Sequence, residues 1–158
     1  MKKKLAYIIA SFFGAGFSPK ASGTVGSLCA LPFIALCINY GGFVWLLALT
    51  AGSFLLGTLA SHEVLKYTKH DPALIVIDEV AGQSLTFLFF TELLAKHTDV
   101  WWIYLVGFGL FRLFDILKPW PVSWADEKLE NALGVMLDDI LAGLYAALCL
   151  FLVILIFI

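Results

Sequence analysis

Charge is what this sequence has least of. Aspartate, glutamate, lysine and arginine make up 14% of its 158 residues, while 61% are hydrophobic; ordinary soluble domains carry roughly 25% charged residues. So small a polar complement cannot cover a water-facing surface, and the chain reads as a membrane protein. A formal net charge of −2 leaves no concentrated basic face, so nucleic acid is excluded as a partner. Cysteine is scarce as well. Cys29, Cys37 and Cys149 lie in apolar runs without metal-ligand spacing, and an odd number cannot complete a disulfide framework. His62 opens HEVLK, which lacks the second histidine that a zinc-protease helix carries four residues on, and His70 and His97 are isolated. No repeat, low-complexity tract or flexible linker appears, so a single domain over residues 1–158 is expected.

What the chain does have is apolar runs. A basic head, MKKK, precedes the run 5–17, which resembles a signal peptide but falls short of the ~20 residues needed to cross a bilayer. It is read as an interfacial or re-entrant segment. Five longer runs follow, at about 24–39, 43–60, 80–95, 100–117 and 140–158. Backbone amides in lipid must be bonded internally, and these runs are too continuous for barrel strands, so they are expected to be helices. The expected fold is thus all-α: a polytopic bundle of about four to five transmembrane or re-entrant helices. Turn residues fall between the runs: Gly41-Gly42, Asp71-Pro72, and the prolines at 119 and 121. Asp71 is expected to cap a helix with Pro72 at its first position.

Retention of positive charge on the cytoplasmic side sets the orientation. With five spans and the amino terminus inside, Lys2, Lys3, Lys4, Lys20, Lys66, Lys69, Arg112, Lys118 and Lys128 all fall inside, and only Lys96 falls outside. The same threading gathers Asp78, Glu79, Asp115, Asp138 and Asp139 on the inner face. A polar site on the cytoplasmic side is therefore expected.

Four segments meet there. SPKASGTVGS (18–27) is a glycine- and hydroxyl-rich turn opening a helix, where unpaired amides and the helix dipole suit a phosphate oxygen; a cap by Ser22 or Thr24 is the simpler reading of this segment alone. HDPALIVIDEVAG (70–82) sets Asp78 and Glu79 at a helix start, either complementing its dipole or binding a ligand at the rim of apolar surface. In FRLFDILKPWP (111–121), Arg112 and Lys118 each lie one turn from Asp115. Snorkelling explains the two cations; an acid that far inside an apolar run is costly unless it faces a polar cavity. GVMLDDILAG (134–143) places Asp138-Asp139 at the mouth of the last run, with Ala142 and Gly143 small enough for close helix approach. Paired carboxylates in low dielectric need a shared proton or cation. Carboxylate-only ligation selects hard cations, and Mg²⁺ is the usual partner of phosphate. Such an ion also removes the repulsion, about 4 kcal/mol per pair of like charges ~4 Å apart, that an acidic pocket presents to a phosphomonoester. Arg112 and Lys118 would then grip phosphate oxygens.

Taken in order, GAGFSPKASGTVGS, HDPALIVIDEVAG, FRLFDILKPWPVSWAD and GVMLDDILAG resemble the phosphatidylglycerophosphatase A family, bacterial metal-dependent membrane enzymes, over nearly the whole chain. The family's usual proline is Ser22 here, and NALGVM replaces its glycine-rich approach to the last motif. The resemblance implies Mg²⁺-dependent hydrolysis of phosphatidylglycerophosphate to phosphatidylglycerol, in the bacterial cytoplasmic membrane with the site facing inward. It implies Asp78, Glu79, Asp115, Asp138 and Asp139 as catalytic and metal-binding acids, and Thr24, Ser27, Arg112 and Lys118 as substrate contacts. Residues for covalent routes are missing: no cysteine stands in a phosphate loop followed by arginine, and no DxD nucleophile motif occurs. Metal-assisted attack by water remains. A small transporter or a non-catalytic membrane scaffold are the rival readings, but the acids crowd one end and no repeated halves appear.

Overall fold

The computed structural model describes residues 2–68 and 73–158; the expected cap at Asp71-Pro72 lies outside the described residues. All regular structure among them is helical: α1 (Lys3–Ala10), α2 (Ser22–Leu65), α3 (Ile77–Phe87), α4 (Thr91–Lys96), α5 (Trp102–Leu117), α6 (Val122–Lys128) and α7 (Ala132–Phe157), with short 3₁₀ turns at Ala15–Phe17, Leu88–Phe90 and Thr98–Val100. Two of these elements, α2 and α7, are long and apolar enough to cross a membrane. Only 28% of the most apolar window of each is buried within the chain, so their outer faces require an apolar surrounding. Leu55, Leu59, Leu152 and Ile156 are among the large side chains left exposed there.

α2 is a hairpin. Its helical run is broken at Gly42, which adopts φ 57° and ψ −143°, a conformation that glycine reaches without a Cβ clash. A side-chain carbon on Gly26 would meet Val76 Cβ at 2.7 Å, and one on Gly57 would meet Ile77 Cγ2 at 2.9 Å. On a straight helix the two glycines would be about 46 Å apart, so neighbouring residues can touch both only if the arms, 22–41 and 43–65, run side by side. The glycine pair therefore makes the turn its composition suggests.

The other apolar runs depart from simple helices. The run 5–17 is an eight-residue helix, α1, about 12 Å long, followed by a turn in which Phe12, Phe13 and Gly14 have positive φ. It is tied to the bundle where Val76 N–H donates to the Ala10 carbonyl at 2.8 Å. The run 80–95 is not one helix: α3 ends at Phe87 and passes through the turn Leu88–Phe90 before α4 begins. Its TFLFFT stretch is β-branched and aromatic, the composition of weak helix formers. The last helix starts earlier than the run 140–158, at Ala132, because Asn131 caps it by accepting from Leu133 and Gly134 N–H at 2.9 and 3.1 Å. Asp138 and Asp139 thus lie two turns inside α7 rather than at its mouth.

Packing places α3 at the centre. Of its eleven residues, nine are buried, lodged between the α2 hairpin and α7. The crossing of α3 and α7 is made by glycines: a Cβ on Gly82 would lie 2.4 Å from the Asp139 carbonyl oxygen, and one on Gly143 would lie 2.4 Å from the Gly82 carbonyl oxygen. Beside this crossing, buried Ala142 and Ala146 of α7 pack with Phe111 of α5 and Val122 of α6. α5 separates two polar ends. Glu92 and Lys96 pair at 3.2 Å near its start, and Arg112 and Lys118 stand at its finish, on a sixteen-residue helix about 24 Å long.

Candidate active site

Each acid pair sits one turn from the α3–α7 crossing. Gly82 follows Asp78 by four residues and Gly143 follows Asp139 by four, so backbone contact at the glycines draws the carboxylates together. In both pairs the first acid turns back on its own helix. Asp78 Oδ1 accepts from Glu79 N–H at 3.0 Å, and Asp138 Oδ1 accepts from Asp139 N–H at 3.0 Å. One oxygen each from Asp78, Glu79 and Asp139 then lie within 4.8 Å of one another. Glu79 Oε2 and Asp139 Oδ2 are buried with no hydrogen-bond partner.

Two cations flank this trio. Arg112 Nη1 lies 2.7 Å from Asp115 Oδ2 and 3.6 Å from Glu79 Oε1. Lys118 Nζ lies 2.6 Å from Asp126 Oδ1 and 3.0 Å from Asp138 Oδ2. Burial alone would lower the Lys118 ammonium, but the hydrogen bonds and charges of Asp126 and Asp138 outweigh it and hold the group above the usual lysine range. Lys118 therefore stays a cation at any working pH. The ladder expected around Asp115 forms only in half, because α5 ends at Lys118 in a left-handed conformation, φ 45° and ψ 56°, which turns its side chain toward α6 and α7.

These groups line a cavity of about 360 Å³, closed on the remaining side by Ala21, Ser22 and Gly23 at the start of α2. The N-cap of α2 is Ala21, with no side-chain cap, so the first-turn amides lack a capping partner from either Ser22 or Thr24. Ser27 is buried and donates to the Gly23 carbonyl at 2.9 Å. Neither Thr24 nor Ser27 lines the cavity; the loop reaches it through its backbone and Ser22. Gly23 is required for closeness, since a Cβ there would fall 2.2 Å from Glu79 Oε1 and 3.1 Å from Arg112 Nη1.

All five acids expected in the site, with Arg112 and Lys118, border this one cavity. Asp126 is the acid that sequence reasoning passed over as a site residue. Its place in WADEK on α6, eight residues beyond Lys118, gives no periodic signal linking the two. Gln83, one turn beyond Glu79 on α3, is fully buried with neither amide atom bonded.

The arrangement fits a hard cation. Three carboxylate oxygens crowded in an apolar bundle repel unless a positive charge joins them, two of the acids keep a buried oxygen unpartnered, and an all-oxygen donor set suits Mg²⁺ or a similar ion. Arg112, Lys118 and the uncapped start of α2 add the means to hold an anion beside it.

Comparison with known proteins places the sequence among relatives of stated activity. Phosphatidylglycerophosphatase A of Haemophilus influenzae is 39% identical over 146 residues, covering 92% of this chain and 86% of the relative. Phosphatidylglycerophosphatase A of Escherichia coli K12 is 36% identical over 142 residues, covering 89% and 78% respectively. A Bacteroides thetaiotaomicron protein named as a candidate phosphatidylinositol-3-phosphatase is 35% identical over 153 residues, 90% of this chain and 89% of its own. No solved structure matches. The family profile described as phosphatidylglycerophosphatase A matches residues 8–154, and the chain belongs to that family.

Proposed function

We propose that the protein removes the terminal phosphate of phosphatidylglycerophosphate, releasing phosphatidylglycerol and inorganic phosphate. The observation that carries this reading is the trio Asp78, Glu79 and Asp139, set beside Arg112 and Lys118 at one end of an apolar helix bundle. The trio would hold Mg²⁺. When bound, such an ion supplies positive charge against a phosphoryl group and eases deprotonation of water.

The chain's own residues do the rest. Asp115 pairs with Nη1 of the Arg112 guanidinium, which leaves Nη2 to take a phosphate oxygen. Asp126 and Asp138 hold Lys118 as a point charge on the same group. Amides of the first turn of α2 take a further oxygen. Water adds to phosphorus while a rim carboxylate takes its proton, the phosphorus–oxygen ester bond breaks, and the carboxylate returns that proton to the departing glycerol oxygen, leaving a hydroxyl and inorganic phosphate. Charge gathering on the phosphoryl oxygens is met by groups already in place, so little reorganisation is needed.

We assign the site to the cytoplasmic face of the bacterial inner membrane. The two arms of α2, the α3–α4 passage, α5 and α7 carry the chain across the bilayer in this reading, with α3 and α4 inside the bundle. Nine of the ten lysines and arginines then lie inside.

The test is phosphate release by purified protein in lipid nanodiscs, with and without Mg²⁺. Turnover of phosphatidylglycerophosphate that stops on chelation and returns on adding Mg²⁺ is expected. Faster release from phosphatidylinositol 3-phosphate would move the substrate to that headgroup, and turnover untouched by chelation would remove the metal from the reaction.

A further inference from the structure

The polar cavity accounts for a phosphate but for nothing of the lipid's tails. We propose that the outer face of α7 seats one acyl chain of the lipid whose phosphate enters that cavity, an inference that rests on the lipid-phosphatase reading above.

A groove of about 260 Å³ is lined by Pro121, Leu141, Leu144, Tyr145 and Leu148. Leu144 and Leu148 also line a cleft of about 470 Å³ that continues along the helix to Phe151 and Ile154, with Phe89 on its other wall. The two hollows therefore share a boundary. The groove also runs on from the site: Asp138, Leu141, Tyr145 and Leu148 are spaced three, four and three residues apart, which is a single stripe on a helix. Asp138 heads that stripe and holds Lys118; Pro121, at the head of the groove, is three residues beyond Lys118.

That end is braced. Tyr145 Oη donates to the Trp120 carbonyl at 2.9 Å, and its ring stacks on Phe114 with centroids 5.3 Å apart. The groove mouth is thus fixed to the same turn that carries Lys118, while exposed Trp120 suits the headgroup level. From Leu141 to Ile154 the stripe is about 20 Å long, enough to follow a chain through one leaflet of about 15 Å, half the hydrocarbon thickness. A hollow whose head, at Pro121, lies three residues beyond Lys118 of the polar cavity and that descends one leaflet matches a tail of the lipid whose phosphate that cavity takes.

The experiment compares the full chain with Leu148→Trp, whose larger side chain fills the shared boundary. Wild type is expected to favour long-chain over dihexanoyl phosphatidylglycerophosphate in kcat/KM by at least about tenfold, the worth of roughly two buried methylenes. Leu148→Trp should erase that preference by raising KM for the long-chain lipid, with kcat and short-chain kcat/KM unchanged. Equal loss on both lipids, no preference in wild type, or a new oligomeric state with KM unaltered would overturn the proposal. A binding readout needs no turnover. Fluorescence of the added tryptophan, taken as the difference from wild type, should be quenched more by brominated chains on a phosphomonoester lipid than on phosphatidylcholine. Equal quenching counts against the groove. Failure of phosphate release with selective quenching retained would instead fault the assigned activity.

Discussion

Gly82 and Gly143 touch through their backbones, so closely that a methyl group on Gly143 would stand 2.4 Å from the Gly82 carbonyl oxygen. This contact sets the distance between the two acid pairs one turn away. Gly143→Ala must push α3 and α7 apart, at a cost of about 1–3 kcal/mol for overpacking, and should lower both thermal stability and turnover. Gly109→Ala is the control: nothing lies within 4 Å of its added carbon, so it should leave activity intact and gain up to about 1 kcal/mol from helix propensity. Parallel melting curves and phosphate release separate the two.

The carboxylate trio predicts opposite effects with and without metal. With one oxygen from each of three acids inside 4.8 Å, neutralising one relieves repulsion in the metal-free protein. Glu79→Gln should raise its melting temperature by about 2–4 °C per kcal/mol relieved. Mg²⁺ at a hundred times its dissociation constant stabilises wild type by about 2.7 kcal/mol, and the variant should lose most of that gain along with turnover. Melting with and without Mg²⁺ checks both signs. A variant that is less stable in both conditions would show that Glu79 serves packing instead.

Local rules of sequence account for much of this architecture. The glycine pair 41–42, the small residues Ala142 and Gly143 and the grouping of Asp78, Glu79, Asp115, Asp138 and Asp139 are each legible in the residues alone, and they appear in the fold as a turn, a crossing and one acidic cavity. What sequence could not give is partnership between segments. Arg112 and Lys118 flank Asp115 symmetrically by helical spacing, yet Lys118 pairs with Asp126 and Asp138 because the helix ends beneath it. Nor does hydropathy show where a helix starts. Polar Asn131 and the acids interrupt the apolar run, while the cap at Asn131 carries α7 through them.

Lys118 should couple more strongly to Asp138 than to Asp126. The Asp138 side chain is 9% exposed and that of Asp126 is 36% exposed, so solvent screens the second pair more. A double-mutant cycle with Lys118→Ala should give about 1–3 kcal/mol with Asp138→Asn and no more than about 1 kcal/mol with Asp126→Asn. Denaturation in mixed micelles measures both. Asp126→Asn alone should raise KM for the lipid while leaving the protein folded, since Lys118 keeps its deeper partner.

Gly23 offers the sharpest separation of site from scaffold. It stands in the first turn of α2, and the three atoms nearest its hypothetical Cβ are all polar side-chain ends: Glu79 Oε1 at 2.2 Å and Arg112 Nη1 and Nη2 at 3.1 and 3.2 Å. Gly23→Ala must therefore move the end of a carboxylate or a guanidinium, both flexible, rather than a helix. Stability should change by less than about 1 kcal/mol, as for substitutions outside packed cores. Turnover should fall by about a hundredfold, the scale of a misplacement of about 1 Å in a catalytic constellation. Gly52→Ala, with nothing within 4 Å on the other arm of the hairpin, should match wild type in both. Equal activity in the two variants would mean that Glu79 and Arg112 need not hold this geometry for phosphate release.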